Sequence, residues 1–127
     1  MINSIILVFI GGAIGAIVRE LLMLGTPHLS DNFPLDILVA NIAAAFLLGL
    51  VTALHTRRVI SDDTNLLVGT GVMGGLSTFS SFVYGAVVLM GASTQSAVVA
   101  TIYVGVSLVI GYGAVTLGMK CGKGRQS

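Results

Sequence analysis

Charge is scarce in this chain. Of its 127 residues only 9% are Asp, Glu, Lys or Arg, tryptophan is absent, and 55% are hydrophobic. That leaves too little polar surface for a globule in water, so the solvent for most of the chain is lipid. A single cysteine, Cys121, excludes an intrachain disulfide. No tract of Lys or Arg exists to bind nucleic acid, and the formal net charge is +1. The two histidines, His28 and His55, have no companion residues at metal-ligating spacing and read as solvated imidazoles at loops or helix ends. The first apolar stretch lacks a basic leader and a small-residue cleavage site before it, so it is expected to remain as a helix rather than be removed.

What is present is four apolar stretches, at residues 4–24, 35–54, 66–90 and 97–119. Each approaches or exceeds the ~20 residues that a helix needs to cross a bilayer. None alternates polar with apolar as a membrane barrel strand does, and a helix satisfies its own backbone in lipid. The expected fold is therefore all-α: one integral membrane domain over residues 1–127 with four transmembrane helices. Pro27, Ser30, Asp31, Asn32 and Pro34 mark residues 25–34 as a turn. Residues 55–65 form the second connection, where Ser61 or Asp62 can cap the following helix. Residues 91–96 form the third. Arg57, Arg58, Lys120, Lys123 and Arg125 fall on the side shared by both termini, which the positive-inside rule assigns to the cytoplasm.

Of the 17 glycines many lie inside the apolar stretches. Gly11 with Gly15, and Gly71 with Gly75, are small-xxx-small pairs that let helices approach closely in lipid. Gly74 and Gly75 differ from the rest because a hydroxyl-rich, aromatic run follows at once: Leu76-Ser-Thr-Phe-Ser-Ser-Phe82. Adjacent glycines weaken a helix by about 1 kcal/mol each, and Ser77, Thr78, Ser80 and Ser81 offer other partners to freed backbone groups. A break in the third helix is expected there. Non-helical backbone at that depth lines a cavity or is buried in protein, and broken helices in transport proteins present carbonyls to cations and amides to anions. A simple Gly/Ser kink is the competing reading.

Phe79 and Phe82, three residues apart, share a face of the helix that restarts. They pack against lipid or core, or offer partly positive ring edges to an anion. Asn41 is the one amide inside an otherwise apolar span, and its polar cost needs a partner or a pathway. Its face continues through Ala45, Leu48 and Thr52; it either glues helices together or donates to an anion. Tyr103, Ser107 and Gly111 form a stripe on the fourth span. Arg19, beside Glu20 near the end of the first, either snorkels to the interface or raises local anion concentration at a vestibule. No Asp, Glu, Lys or His stands at mid-membrane, which disfavours proton-coupled exchange of the small multidrug type and suits a passive anion path. A packing scaffold with no transport role is the third reading. No nucleophile-base pair or metal cluster supports an enzyme.

Several motifs in order resemble the CrcB/Fluc fluoride channel family over essentially the whole chain. They are Gly11-Gly-Ala-Ile-Gly-Ala-Ile-Val-Arg19; Asn41 with Phe46 and Gly49; Gly74-Gly-Leu-Ser-Thr-Phe-Ser-Ser-Phe82; and Tyr103 with Ser107, Leu108 and Gly111. The resemblance implies an antiparallel, dual-topology homodimer in a bacterial inner membrane, with two fluoride pores lined by both subunits. By that likeness Phe79 and Phe82 form an aromatic box on fluoride, Asn41 is a pore donor, and Ser80, Tyr103 and Ser107 line or support a polar track. Arg19 stands at the aqueous vestibule. The third-span break holds a structural sodium ion through backbone carbonyls at Gly74 and Ser77. Some relatives carry a glutamate shortly after the second box phenylalanine; here Val83, Tyr84 and Gly85 occupy that stretch.

Overall fold

The computed structural model describes residues 2–25, 35–92 and 94–124. Four of its helical segments are long and apolar enough to cross a membrane: Ile2–Gly25, Leu35–Thr56, Asp62–Val88 and Ala97–Lys123. The first is α1 (Ile2–Gly25) and the second α2 (Leu35–Thr56). The third is composite. It runs from α3 (Asp62–Asn65) through a π-helical stretch (Leu66–Val72) and α4 (Met73–Leu76), breaks, and resumes as α5 (Phe79–Ala92). The fourth is α6 (Thr94–Lys123). Among the described residues there is no strand. Large apolar side chains such as Phe9, Leu24, Val109 and Tyr112 project outward from α1 and α6, the surface of a multi-pass membrane protein rather than of a water-soluble one.

Two parallel helix pairs build the bundle, and glycine makes both of them possible. In the first, α1 lies along the start of the third span. A Cβ on Gly11 would overlap the Leu67 carbonyl, one on Gly15 the Val72 carbonyl, and one on Gly75 the Gly12 carbonyl. In the second, α2 lies along α6, with Gly49 against the Val115 carbonyl and Gly118 against that of Phe46. Backbones this close gain dispersion and weak polar contacts that stand in for the hydrophobic drive missing between helices in lipid. In each pair the residue numbers rise together, so the start of α1, the turn after α2 and the end of α6 share one end of the bundle.

That end is tied by polar contacts. Arg57 donates through Nη1 to the Gly122 carbonyl at 2.8 Å, joining the C-terminal turns of α2 and α6, where a cation meets the negative end of the helix. The chain leaves α2 through a left-handed residue, Arg58 at φ 57°. The Arg58 N–H bonds the His55 carbonyl and the Val59 N–H that of Leu54, the bonding pattern of a Schellman stop. Ser61, not Asp62, caps the next helix: its hydroxyl accepts from the Thr64 N–H at 3.2 Å. His55 Nε2 reaches Asp62 Oδ1 at 2.7 Å across the turn.

The third connection is shorter than its polar composition suggests. α5 continues to Ala92 and α6 already begins at Thr94. The expected first turn, beyond Gly25, lies outside the described residues, as do His28 and Arg125.

Candidate ion pathway

The expected break exists, at the start of the hydroxyl-rich run that follows the glycine pair. Gly74 and Gly75 both belong to α4; Gly75 is small because α1 presses on it, not because the helix ends there. The backbone turns extended at Ser77, with φ −74° and ψ 150°, and helix resumes at Phe79.

Three side chains hold this irregular backbone, as it must be held in a lipid-excluded interior. Asn41 of α2 bonds both polar groups of one residue: its Oδ1 accepts from the Thr78 N–H at 2.8 Å, and its Nδ2 donates to the Thr78 carbonyl at 3.4 Å. Thr78, only 5% exposed, in turn caps α5. Its Oγ1 accepts from the Ser81 N–H at 3.2 Å and donates to Ser81 Oγ at 2.8 Å. On the other side of the break Arg19 of α1 donates through Nη1 to the Gly75 carbonyl at 3.1 Å. A helix that stops leaves its last carbonyls without partners and its C-terminal end negative. The guanidinium answers both. Arg19 therefore reaches back from its position on α1 to the middle of the third span instead of extending outward.

Beside the break is a cavity of about 490 Å³. Asn41, Ala45 and Leu48 line it from α2, Thr70, Gly74 and Ser77 from the third span, Phe79 and Phe82 from α5, and Ser107 and Leu108 from α6. Among the described residues no charged side chain lines it. The Phe79 and Phe82 rings are 6.2 Å apart and tilted by 33°. Phe79 is 77% exposed, on the side where the cavity opens. The Ser107 hydroxyl is buried and has no hydrogen-bond partner among the described residues. Such a hydroxyl costs free energy unless something accepts its proton.

The structure thus gathers Asn41, Phe79, Phe82, Ser107, Gly74 and Ser77 around one space, and the Ala45 and Leu48 stripe below Asn41 with them. Three expected site residues stand apart. Tyr103 is fully buried behind Phe82, ring centroids 5.3 Å apart, packed with Leu38 and Ala86. Ser80 is exposed, with a contact to Thr78 Oγ1 at 3.5 Å. Arg19 is on Gly75. Thr78 stood in the sequence only as one of four hydroxyls; its three-residue spacing to Ser81, the spacing of a helix cap, was the signal that could have set it apart.

A family model described as CrcB-like protein, Camphor Resistance (CrcB), matches residues 6–119. The chain belongs to the CrcB-like family. A CrcB-like relative from Yersinia pseudotuberculosis serotype I, named fluoride-specific ion channel FluC 3, is 55% identical over 122 residues, covering 96% of this chain and 90% of the relative. One from Agrobacterium fabrum, named fluoride-specific ion channel FluC, is 42% identical over 127 residues and is covered over 98% of its length. Fluoride-specific ion channel FluC 2 of Brucella melitensis biotype 1 is 58% identical over 123 residues, 97% of this chain but 46% of that protein. This CrcB-like chain therefore spans slightly less than half the length of that Brucella relative. These relatives are named as channels, not enzymes.

Proposed function

We propose that the chain is a subunit of a passive, fluoride-selective channel of the bacterial inner membrane that lets fluoride leave the cytoplasm and relieves its toxicity. One observation carries the reading: the cavity beside the break offers proton donors and ring edges with no charged group. Asn41 keeps an amide hydrogen beyond those its Thr78 contact uses, Ser107 has a buried unspent hydroxyl, and Phe79 and Phe82 lie against the same space. An anion held by such groups trades its hydration for short contacts without falling into a deep electrostatic trap, as conduction requires. Among the described residues the lining holds no carboxylate or histidine to carry a coupled proton. The relatives' names point to fluoride among anions. Hydrogen fluoride that enters from acid surroundings dissociates in the cytoplasm, so a passive path suffices for export.

The cavity is open on the face where Gly74 and Phe79 are exposed. A second copy, antiparallel to the first, closes it in this reading, giving a homodimer with two pores. A relative more than twice as long as the matched segment has room for two such units in one chain. The break also suits a structural sodium ion at the dimer centre. Its donor set is neutral backbone oxygen, the right chemistry for a hard monovalent cation, at the negative end of α4, and the Gly74 and Ser77 carbonyls would hold it. Bound there, the ion supplies the positive charge on which two facing breaks can meet.

The test is efflux from liposomes loaded with fluoride and chloride, with a valinomycin potassium path to relieve charge build-up. Fast fluoride release with chloride retained is expected. Phe79→Ile and Phe82→Ile each lower the rate by about tenfold or more if an aromatic edge contributes about 1.4 kcal/mol at the barrier, and Asn41→Asp lowers it as well. No release from folded wild-type protein overturns the channel reading; unchanged release in all three variants overturns the site.

A further inference from the structure

We propose that Asn41 and Thr78 are positioning residues for the cation site: together they strip the Gly74 and Ser77 carbonyls of their helical donors and hold them open. The inference rests on the sodium reading above and deepens it. In an unbroken α-helix each carbonyl accepts from the N–H four residues on. For Gly74 that donor is the Thr78 N–H, and for Ser77 it is the Ser81 N–H. Both are diverted. The Thr78 N–H goes to Asn41 Oδ1 at 2.8 Å, and the Ser81 N–H goes to Thr78 Oγ1 at 3.2 Å. Between them in sequence Gly75 and Leu76 lose their helical donors as well; the Gly75 carbonyl is taken by Arg19, and Leu76 does not line the cavity.

So the freed oxygens differ in what can reach them. Gly75 is covered by a fixed cation, while Gly74 and Ser77, both lining the cavity, are left for another ligand. Neither diversion is accidental geometry. Asn41 needs the Thr78 backbone because a lone amide in an apolar span is costly, and α5 needs Thr78 because its first amides have no carbonyl before them. The same two bonds fix the start of α5, and hence Phe79 and Phe82 one and four residues beyond Thr78. A side chain that touches the anion path is thereby coupled to oxygens that hold the cation. Thr78 touches neither ion: it is buried and does not line the cavity.

The experiment is thermal unfolding of the purified, detergent-solubilised full chain, titrated with sodium against N-methylglucamine. Wild type is expected to gain stability with sodium. In Thr78→Val, which keeps shape but loses the cap, and in Asn41→Leu, the sodium concentration for half of that gain rises by at least about tenfold, while Thr78→Ser stays within about threefold of wild type. A Thr78→Val protein that responds to sodium as wild type does overturns the proposal and leaves the cation site standing. A wild type with no sodium response removes the cation site itself, and the proposal with it. If neither disruptive variant folds, amide exchange in the wild type decides: Thr78 and Ser81 amides that slow when sodium is present support the arrangement, and amides that exchange freely with or without it overturn it. Fluoride efflux is not needed for any of these readings, so the result stands apart from the channel assignment.

Discussion

The two halves of the third span differ in what they lean on. The first half, through the π-helical stretch and α4, packs against α1; the second, α5, packs against α6. The first is dense in glycine and meets its neighbour backbone to backbone. The second meets its neighbour through side chains, with Phe82 and Ala86 against Tyr103. A straight helix runs along one neighbour; this span is handed from one helix to another, and the break at Ser77 and Thr78 is the handover. The irregular backbone follows from the packing as much as from local propensity, since the glycines that weaken helix sit within α4 and the residues that leave helix come after them.

The largest effect should come from testing that contrast at two adjacent glycines. A Cβ on Gly75 overlaps the Gly12 carbonyl, whereas one on Gly74 meets nothing within 4 Å. Gly75→Ala must push two backbones apart and should cost at least the roughly 1–3 kcal/mol of an overpacked core, read as loss of a sharp unfolding transition or of the folded peak on gel filtration. Gly74→Ala should leave the fold of the subunit intact and can stabilise it by up to about 1 kcal/mol through helix propensity. Equal effects at the two positions would mean that α1 and α4 are not in this close register.

Next in size is Arg19, which touches only the first half. A hydrogen bond to a charged group is worth about 1.5–3 kcal/mol, less here because the side chain is only partly buried. Arg19→Gln should cost stability near the lower end of that range, read as a lower unfolding midpoint, and Arg19→Lys less, since the ammonium keeps the charge at the end of α4 though not the fork. If Arg19 instead serves only to gather anions at a vestibule, both variants should unfold as wild type does and differ in the salt dependence of fluoride release.

How much of this could be read in the sequence follows the range of the interaction concerned. Four spans were legible because hydropathy is counted within one segment, and the shared end of the basic residues followed from the number of crossings. The cost of Asn41 was legible too, and so was the need for a partner. Which partner was not, because Thr78 lies on another helix and an amide in lipid accepts many companions. The run of paired glycines followed by hydroxyls pointed to the break, though not to the separate duty of Gly75 in close approach to α1, since a glycine needed for close approach and a glycine needed for flexibility look alike in a single chain. The π-helical stretch Leu66–Val72 had no sequence signal at all: Leu, Val, Thr and Gly compose it as they compose its α-helical neighbours.

The smallest effect is expected where the two halves have no part, at the turn that leads into the span. His55 and Asp62 are 2.7 Å apart, yet Asp62 is 94% exposed. A pair so open to water gains little from charge, because solvent and salt screen it, and measured cases contribute within about 1 kcal/mol. The turn is fixed without it by the left-handed Arg58, the Ser61 cap and the Arg57 bond to Gly122. His55→Gln and Asp62→Asn should therefore leave the unfolding midpoint and fluoride release close to wild type, whereas Arg57→Gln, which removes the bond between α2 and α6, should lower the midpoint measurably. Should the histidine pair prove the more costly of the two, the end of the bundle would be held by the turn itself and not by the contact between its two C-terminal helix ends.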